Sequence, residues 1–137
     1  MNRLPEPEPL DPDAFAPYGK VLRREEGGEA FQDLHTESAS RGWRVALLDP
    51  PAGPLKRVHR HPDSEECFAV VAGDPCIAVS PSDDPASVRL FRLDEPVCVR
   101  RNVWHEIVTR NPARVFIAEN AGISGEAYFL PTAREWR

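Results

Sequence analysis

The stretch His59-Arg60-His61-Pro62-Asp63-Ser64-Glu65-Glu66-Cys67-Phe68 decides how this chain is read. On an extended strand alternate side chains share a face, so His59 and His61 point the same way. Pro62 follows at once, then an acidic corner, then an apolar run from Cys67 to Ala72 that stops at Gly73. The pattern predicts one strand, a tight corner and a second strand folding back beside the first. The corner returns Glu65 and Glu66 towards the two imidazoles. Two neutral histidine nitrogens and a carboxylate on one wall are a ligand set for a divalent transition metal. Only His35 and His105 remain to add a third imidazole.

Working outward, the same strand signals recur. Trp43 to Leu48, Lys56 to His61, Glu66 to Ala72, Cys76 to Val79, Val88 to Leu93, Pro96 to Val99, Trp104 to Thr109 and Arg114 to Glu119 all read as strands. Ala127 to Leu130 reads as a last one, and Gly19 to Leu22 as a short first one. Asp11-Pro12-Asp13-Ala14-Phe15 reads as a one- to two-turn helix, with Asp11 as N-cap and Pro12 in the first turn. Residues 23–41 are polar and predict a loop, with a short strand near Ala30 to Leu34 as an option inside it. Residues 1–12 are rich in Pro and acid and read as an extended arm or a frayed end. Strands repeating about every eight to twelve residues predict an all-β barrel or two-sheet antiparallel sandwich.

The chain has 137 residues, which suits a single domain spanning 1–137. Its 15 prolines are spread along the sequence, which fits short strands with tight turns and argues against long helices. A net charge of −5 disfavours nucleic acid and anionic membranes as partners. Cys67, Cys76 and Cys98 sit in apolar runs without metal or redox spacing, so they are expected as small core residues in a reducing cytoplasm. No segment reads as a membrane span or a signal peptide.

Gly53, His59, His61, Glu66 and Gly73 together have the spacing G-x5-H-x-H-x4-E-x6-G. This resembles the first metal-binding motif of the cupin superfamily. The second, P-x-G-x2-H-x3-N, is half present: Arg100 replaces its Pro, Asn102 its Gly and Thr109 its Asn, while His105 stands in the His position. Asn is the best non-glycine residue for a left-handed turn, so that replacement is physically mild. The resemblance implies a cupin-type, jelly-roll-like barrel in which His59, His61, Glu66 and His105 hold Mn, Fe, Ni, Co or Zn. His35 is the weaker candidate.

A narrower resemblance covers nearly the whole chain. Leu4-Pro5, Ala14-Phe15-Ala16-Pro17-Tyr18-Gly19-Lys20-Val21, Arg60-His61-Pro62 with Phe68, and Arg101-Asn102-Val103-Trp104-His105 resemble the ureidoglycolate lyase family. Members are cupin-like barrels, usually homodimers, that cleave ureidoglycolate to glyoxylate and urea in purine and allantoin breakdown. This chain departs from the family pattern at His59, where Glu is usual, at Glu66, where Gln is usual, and at Glu119-Asn120, where Asp-Arg is usual. The first two changes move the site towards an ordinary cupin metal site.

The resemblance implies a lyase or hydrolase acting on a small carboxylate substrate. Arg57 shares strand parity with His59 and His61, so it either holds the substrate carboxylate or sits as a charge at the barrel mouth. Glu119 shares parity with Val115 and Ile117. It is either a buried general base or, as the favoured expectation, a solvated residue beyond the strand end. Without metal, His105 would be the acid–base group. Trp104 has the opposite parity and is expected outside the cavity. A metal-dependent oxygenase or isomerase and a non-catalytic small-molecule-binding cupin are the rival readings. Edge strands that need covering favour a homodimer.

Overall fold

Residues 2–30, 32–37 and 41–137 are described in the computed structural model of the chain. Asp11 caps the short helix α1 (Pro12–Phe15) by accepting from the Asp13 N–H, and Pro12 occupies its first turn, where a missing N–H costs nothing. The helix ends in fully buried Phe15, which anchors it to the core. Among the described residues ten strands follow: β1 (Gly19–Val21), β2 (Arg44–Leu48), β3 (Leu55–Arg60), β4 (Glu66–Ala72) and β5 (Cys76–Ser80), then β6 (Arg89–Arg92), β7 (Val97–Val99), β8 (Trp104–Val108), β9 (Arg114–Glu119) and β10 (Glu126–Arg134). The expected strand near Ala30–Leu34 includes Phe31, outside the described residues; its described positions belong to no strand.

The strands form two five-stranded antiparallel sheets, β1-β7-β4-β9-β2 and β10-β3-β8-β5-β6. The all-β, two-sheet antiparallel sandwich expected from the sequence is thus the fold. The predicted pairing of β3 with β4 is corrected: they lie in opposite sheets. The ladder partners of β3 are β8 and β10, and those of β4 are β7 and β9. Both strands carry an apolar stripe that needs a facing layer, and two sheets packed face to face supply it where a flat hairpin would not. Residues 61–65 therefore cross between sheets. Their polar groups are met by the Asn102 N–H, which donates to the His61 carbonyl at 3.0 Å, and by the Asn120 N–H, which donates to Ser64 Oγ at 3.1 Å.

Between the sheets lie Phe68, Val97 and Val115 from one side and Ile77, Phe91 and Ile107 from the other. A second cluster, built around Leu4, Leu55, Val58, Leu90 and Trp104, lies behind the β3-β8-β5 layer. The N-terminal arm is ordered over it rather than frayed. The Leu4 N–H donates to the Glu135 carbonyl at 2.8 Å and the Glu8 N–H to the Leu90 carbonyl at 2.7 Å. Trp104 packs on this side, outside the inter-sheet cavity, with the Arg60 guanidinium 4.3 Å from its ring centre. β10 tolerates Pro131 because it is an edge strand, and its register with β3 slips between Phe129 and Arg134. Among the described residues no helix is long and apolar enough to cross a membrane.

Candidate functional site

The site is assembled where the two sheets face each other near the 61–65 corner. β3 stops at Arg60, and Pro62 keeps the chain from continuing the ladder, so His61 sits at the strand mouth. On β8, His105 is the direct cross-strand partner of His59, so both side chains occupy the same face. The turn into β8 is made by Asn102 at φ 65°, the left-handed conformation that the sequence predicts there. From the opposite sheet, Glu66 opens β4 on the same face as Phe68 and reaches across the interior.

Glu66 Oε1 lies 2.9 Å from His105 Nε2 and 3.1 Å from His61 Nε2. Each imidazole is held by its other nitrogen: His61 Nδ1 lies 3.0 Å from the Ser124 carbonyl and His105 Nδ1 2.9 Å from the Val103 carbonyl. A carbonyl oxygen only accepts, so each Nδ1 carries the proton and a neutral ring turns its Nε2 lone pair towards Glu66. Two lone pairs meeting a carboxylate oxygen repel unless protons or a cation lie between them. His61, Glu66 and His105 form one group whose donor atoms all lie within 4.8 Å of one another, so the donor set and its orientation fit a metal ion.

In the metal-free protein, a proton on His61 serves on its side of the carboxylate. The hydrogen bond to Glu66 raises the His61 pKa to about 8, against the opposing effect of burial. Burial alone would raise Glu66, but its hydrogen bonds to His105 and His61 overcome this and hold its carboxyl at about 2. The cavity in front of the group has a volume of about 230 Å3 and apolar walls at Leu48, Phe68 and Ile117. This suits a substrate of a few heavy atoms.

The other predicted residues stand around this group. His59 lines the same cavity, but its Nδ1 turns to Glu106 Oε2 at 3.3 Å, outside the three-residue cluster. Arg57 Nε lies 3.6 Å from the same oxygen and lines the adjoining cavity. Glu119 is not solvated, contrary to the favoured expectation. It belongs to β9, pairs in register with Glu66, and its side chain is only 6% exposed. Arg44 donates to its Oε2 from Nε at 3.1 Å and Nη2 at 2.9 Å, while Oε1 has no hydrogen-bond partner among the described residues. His35 lies apart, on Glu65. Sequence reasoning missed Arg44 and Glu106. Arg44 becomes visible only through the β2–β9 register, and Glu106 has the strand parity that points away from His105.

No protein-family model matches the chain. Among curated proteins it is 34% identical to a ureidoglycolate lyase of Agrobacterium fabrum (strain C58), over 77% of this chain and 76% of that one. It is also 34% identical to a ureidoglycolate lyase of Rhizobium etli (strain CIAT 652), over 90% of each. Among solved structures, the capsular polysaccharide assembling protein CapF of Staphylococcus aureus matches with a TM-score of 0.53 at 20% identity, over 68% of this chain but only 27% of that one. A cupin 2 domain-containing protein of Halorhodospira halophila matches with a TM-score of 0.49 at 19% identity, over 77% of each.

Proposed function

The chain belongs to the ureidoglycolate lyase family, and from that premise we propose that it cleaves ureidoglycolate, or a closely similar small hydroxy acid, to glyoxylate and urea. The observation that carries this reading is the convergence of His61 and His105 on one Glu66 oxygen, with the buried, half-partnered carboxylate of Glu119 on the neighbouring strand. His61, Glu66 and His105 would hold a divalent transition metal (Mn, Fe, Ni, Co or Zn), with His59 as the fourth proposed ligand on the wall of the same cavity. Such an ion supplies Lewis acidity towards the oxygens of a hydroxy acid.

The chain's own residues do the rest. Arg57 would hold the substrate carboxylate, exchanging its long contact with Glu106 for a bidentate one. Glu119, fixed in place by Arg44, would accept the hydroxyl proton at Oε1. The hydroxyl oxygen then becomes the aldehyde carbonyl, the C–N bond breaks, and its electron pair leaves on the urea nitrogen. That nitrogen takes the proton back from Glu119, so no co-reactant is consumed. Leu48, Phe68 and Ile117 limit the water around these steps.

We further infer a homodimer working in the cytoplasm in allantoin breakdown. Three free cysteines suit a reducing compartment. The outward face of the β4-β9-β2 layer carries Val45, Leu47, Val71 and Phe116, all exposed in a single chain, and a second copy would cover them. The deciding experiment measures urea and glyoxylate release from ureidoglycolate by metal-loaded and chelator-stripped protein. Release by the loaded form, lost on stripping and restored by metal, is expected. No release by either form overturns the lyase reading, and full release by protein shown to be metal-free overturns the metal.

A further inference from the structure

A second set of donor atoms converges on the opposite side of the same strands. Glu65 and Glu66 are adjacent in the chain, and while Glu66 enters the cavity, Glu65 turns outward. Cys67 of β4 and Cys98 of β7 are direct cross-strand partners. Phe68, Val97 and Val99 take the inward positions of these strands, so both cysteines face away from the inter-sheet core, side by side on the outer face. The expectation of buried cysteines holds for Cys76, in the cluster behind the other sheet, and for Cys98, but not for Cys67, which is partly exposed.

Residues 32–37 lie down over the pair. Lys20 Nζ donates to the Leu34 carbonyl at 2.7 Å, and Glu37 forms an ion pair with Arg101 and accepts from Asn120 Nδ2 at 3.0 Å. Anchored on both sides, the segment places His35 Nε2 3.0 Å from Glu65 Oε1. The other carboxylate oxygen, Oε2, lies 3.8 Å from Cys98 Sγ. The donor atoms of His35, Glu65 and Cys98 all lie within 4.8 Å of one another. Around tetrahedral zinc, with metal–ligand bonds of about 2.0 Å to N or O and 2.3 Å to S, neighbouring donors are about 3.3–3.8 Å apart. The Glu65 carboxylate is already near that distance from both His35 and Cys98, and Cys67 stands beside Cys98 as a fourth.

We propose that Cys67, Cys98, His35 and Glu65 form a second metal site, distinct from the His61–Glu66–His105 group, that takes a thiophilic divalent cation such as zinc and fastens residues 32–37 to the sheet. All four side chains are electron-pair donors. A carboxylate against two thiols in a half-buried position gains most when a cation replaces their protons. The ligands come from the segment at 32–37, the 61–65 corner and two adjacent strands, so binding closes long loops and stiffens the segment.

The test is titration of the full-length, reduced, metal-free protein with Co2+. A thiolate-to-cobalt charge-transfer band in the near ultraviolet can arise only from a site with cysteine ligands, so the histidine–carboxylate group in the cavity does not contribute to it. The expected result is a band that saturates within about two equivalents of Co2+ per chain, is displaced by Zn2+, persists in His105→Ala and is lost in Cys98→Ser. In His35→Ala, which alters only a surface segment, affinity should fall at least about tenfold while far-ultraviolet dichroism stays unchanged. The absence of a thiolate band with reduced thiols overturns the proposal. A band with the same affinity in His35→Ala overturns this ligand set, whether or not Cys98→Ser folds.

Discussion

His61 and His105 turn the same ring nitrogen towards the same carboxylate oxygen, and that convergence dictates how the site responds to protons and metal. In metal-free protein the His61 pKa is raised from 6.5 to about 8, so its stabilising contribution is fully present below pH 6.5 and is lost as pH rises through 8. The Glu66 pKa is lowered from 4.5 to about 2, so its contribution is present above pH 4.5 and is lost as pH falls through 2. Thermal melts of stripped protein should therefore show Tm declining above pH 6.5, and His61→Ala should flatten that decline. Added metal should raise Tm most at the alkaline end, where it does not compete with protons. Glu119→Gln separates roles. It keeps the size and the Arg44 contact but cannot accept a proton, so kcat is expected to fall about 100- to 10,000-fold with metal content unchanged. Steady-state kinetics beside elemental analysis checks both.

At the scale of elements, the site depends on strands that stop and cross between sheets at fixed places. Gly73 ends β4 at φ 83°, and a Cβ there would stand 2.5 Å from the Pro112 carbonyl oxygen. Gly73→Ala is expected to destabilise the protein by on the order of 1–3 kcal/mol, measurable as a lower urea midpoint with unchanged slope. β2 is an edge strand, and its one inward guanidinium, Arg44, is what positions Glu119. Strand existence was legible beforehand because apolar alternation and Gly/Pro punctuation are local signals; the extent of the last strand was not, since it runs Glu126–Arg134 rather than Ala127 to Leu130. The partners of β3 and β4 were not. A corner such as 61–65 looks the same in sequence whether the next strand pairs with the last or faces it across a core.

At the scale of the molecule, the chain alternates between the two sheets from β2 onward except at β5–β6, sequential strands that pair as a hairpin in the second. Contacts of long sequence separation tie both sheets, the N-terminal arm and β10 together, so the chain is expected to unfold in one transition, seen alike by tryptophan fluorescence and far-ultraviolet dichroism. Leu47→Glu places a charge in the exposed apolar face between Val45 and Phe116. It should convert a dimer to a monomer in light scattering without loss of strand signal. A wild-type chain that is already monomeric would sink the dimer.

The sequence by itself determined most strands and the all-β class, and it singled out His61, Glu66 and His105 as candidate donors, because these follow from side-chain alternation, turn chemistry and residue spacing. It also determined the left-handed turn at Asn102, which a short polar side chain makes tolerable. Tertiary structure alone decided which ring nitrogens meet Glu66, that His59 turns instead to Glu106, that Arg44 reaches Glu119, and that Glu65 and Cys98 meet His35 on the outer face. Apart from His61–Glu66, these contacts join residues far apart in the chain. Their geometry is set by sheet register and by which face of a strand is buried, and neither is written in any local stretch.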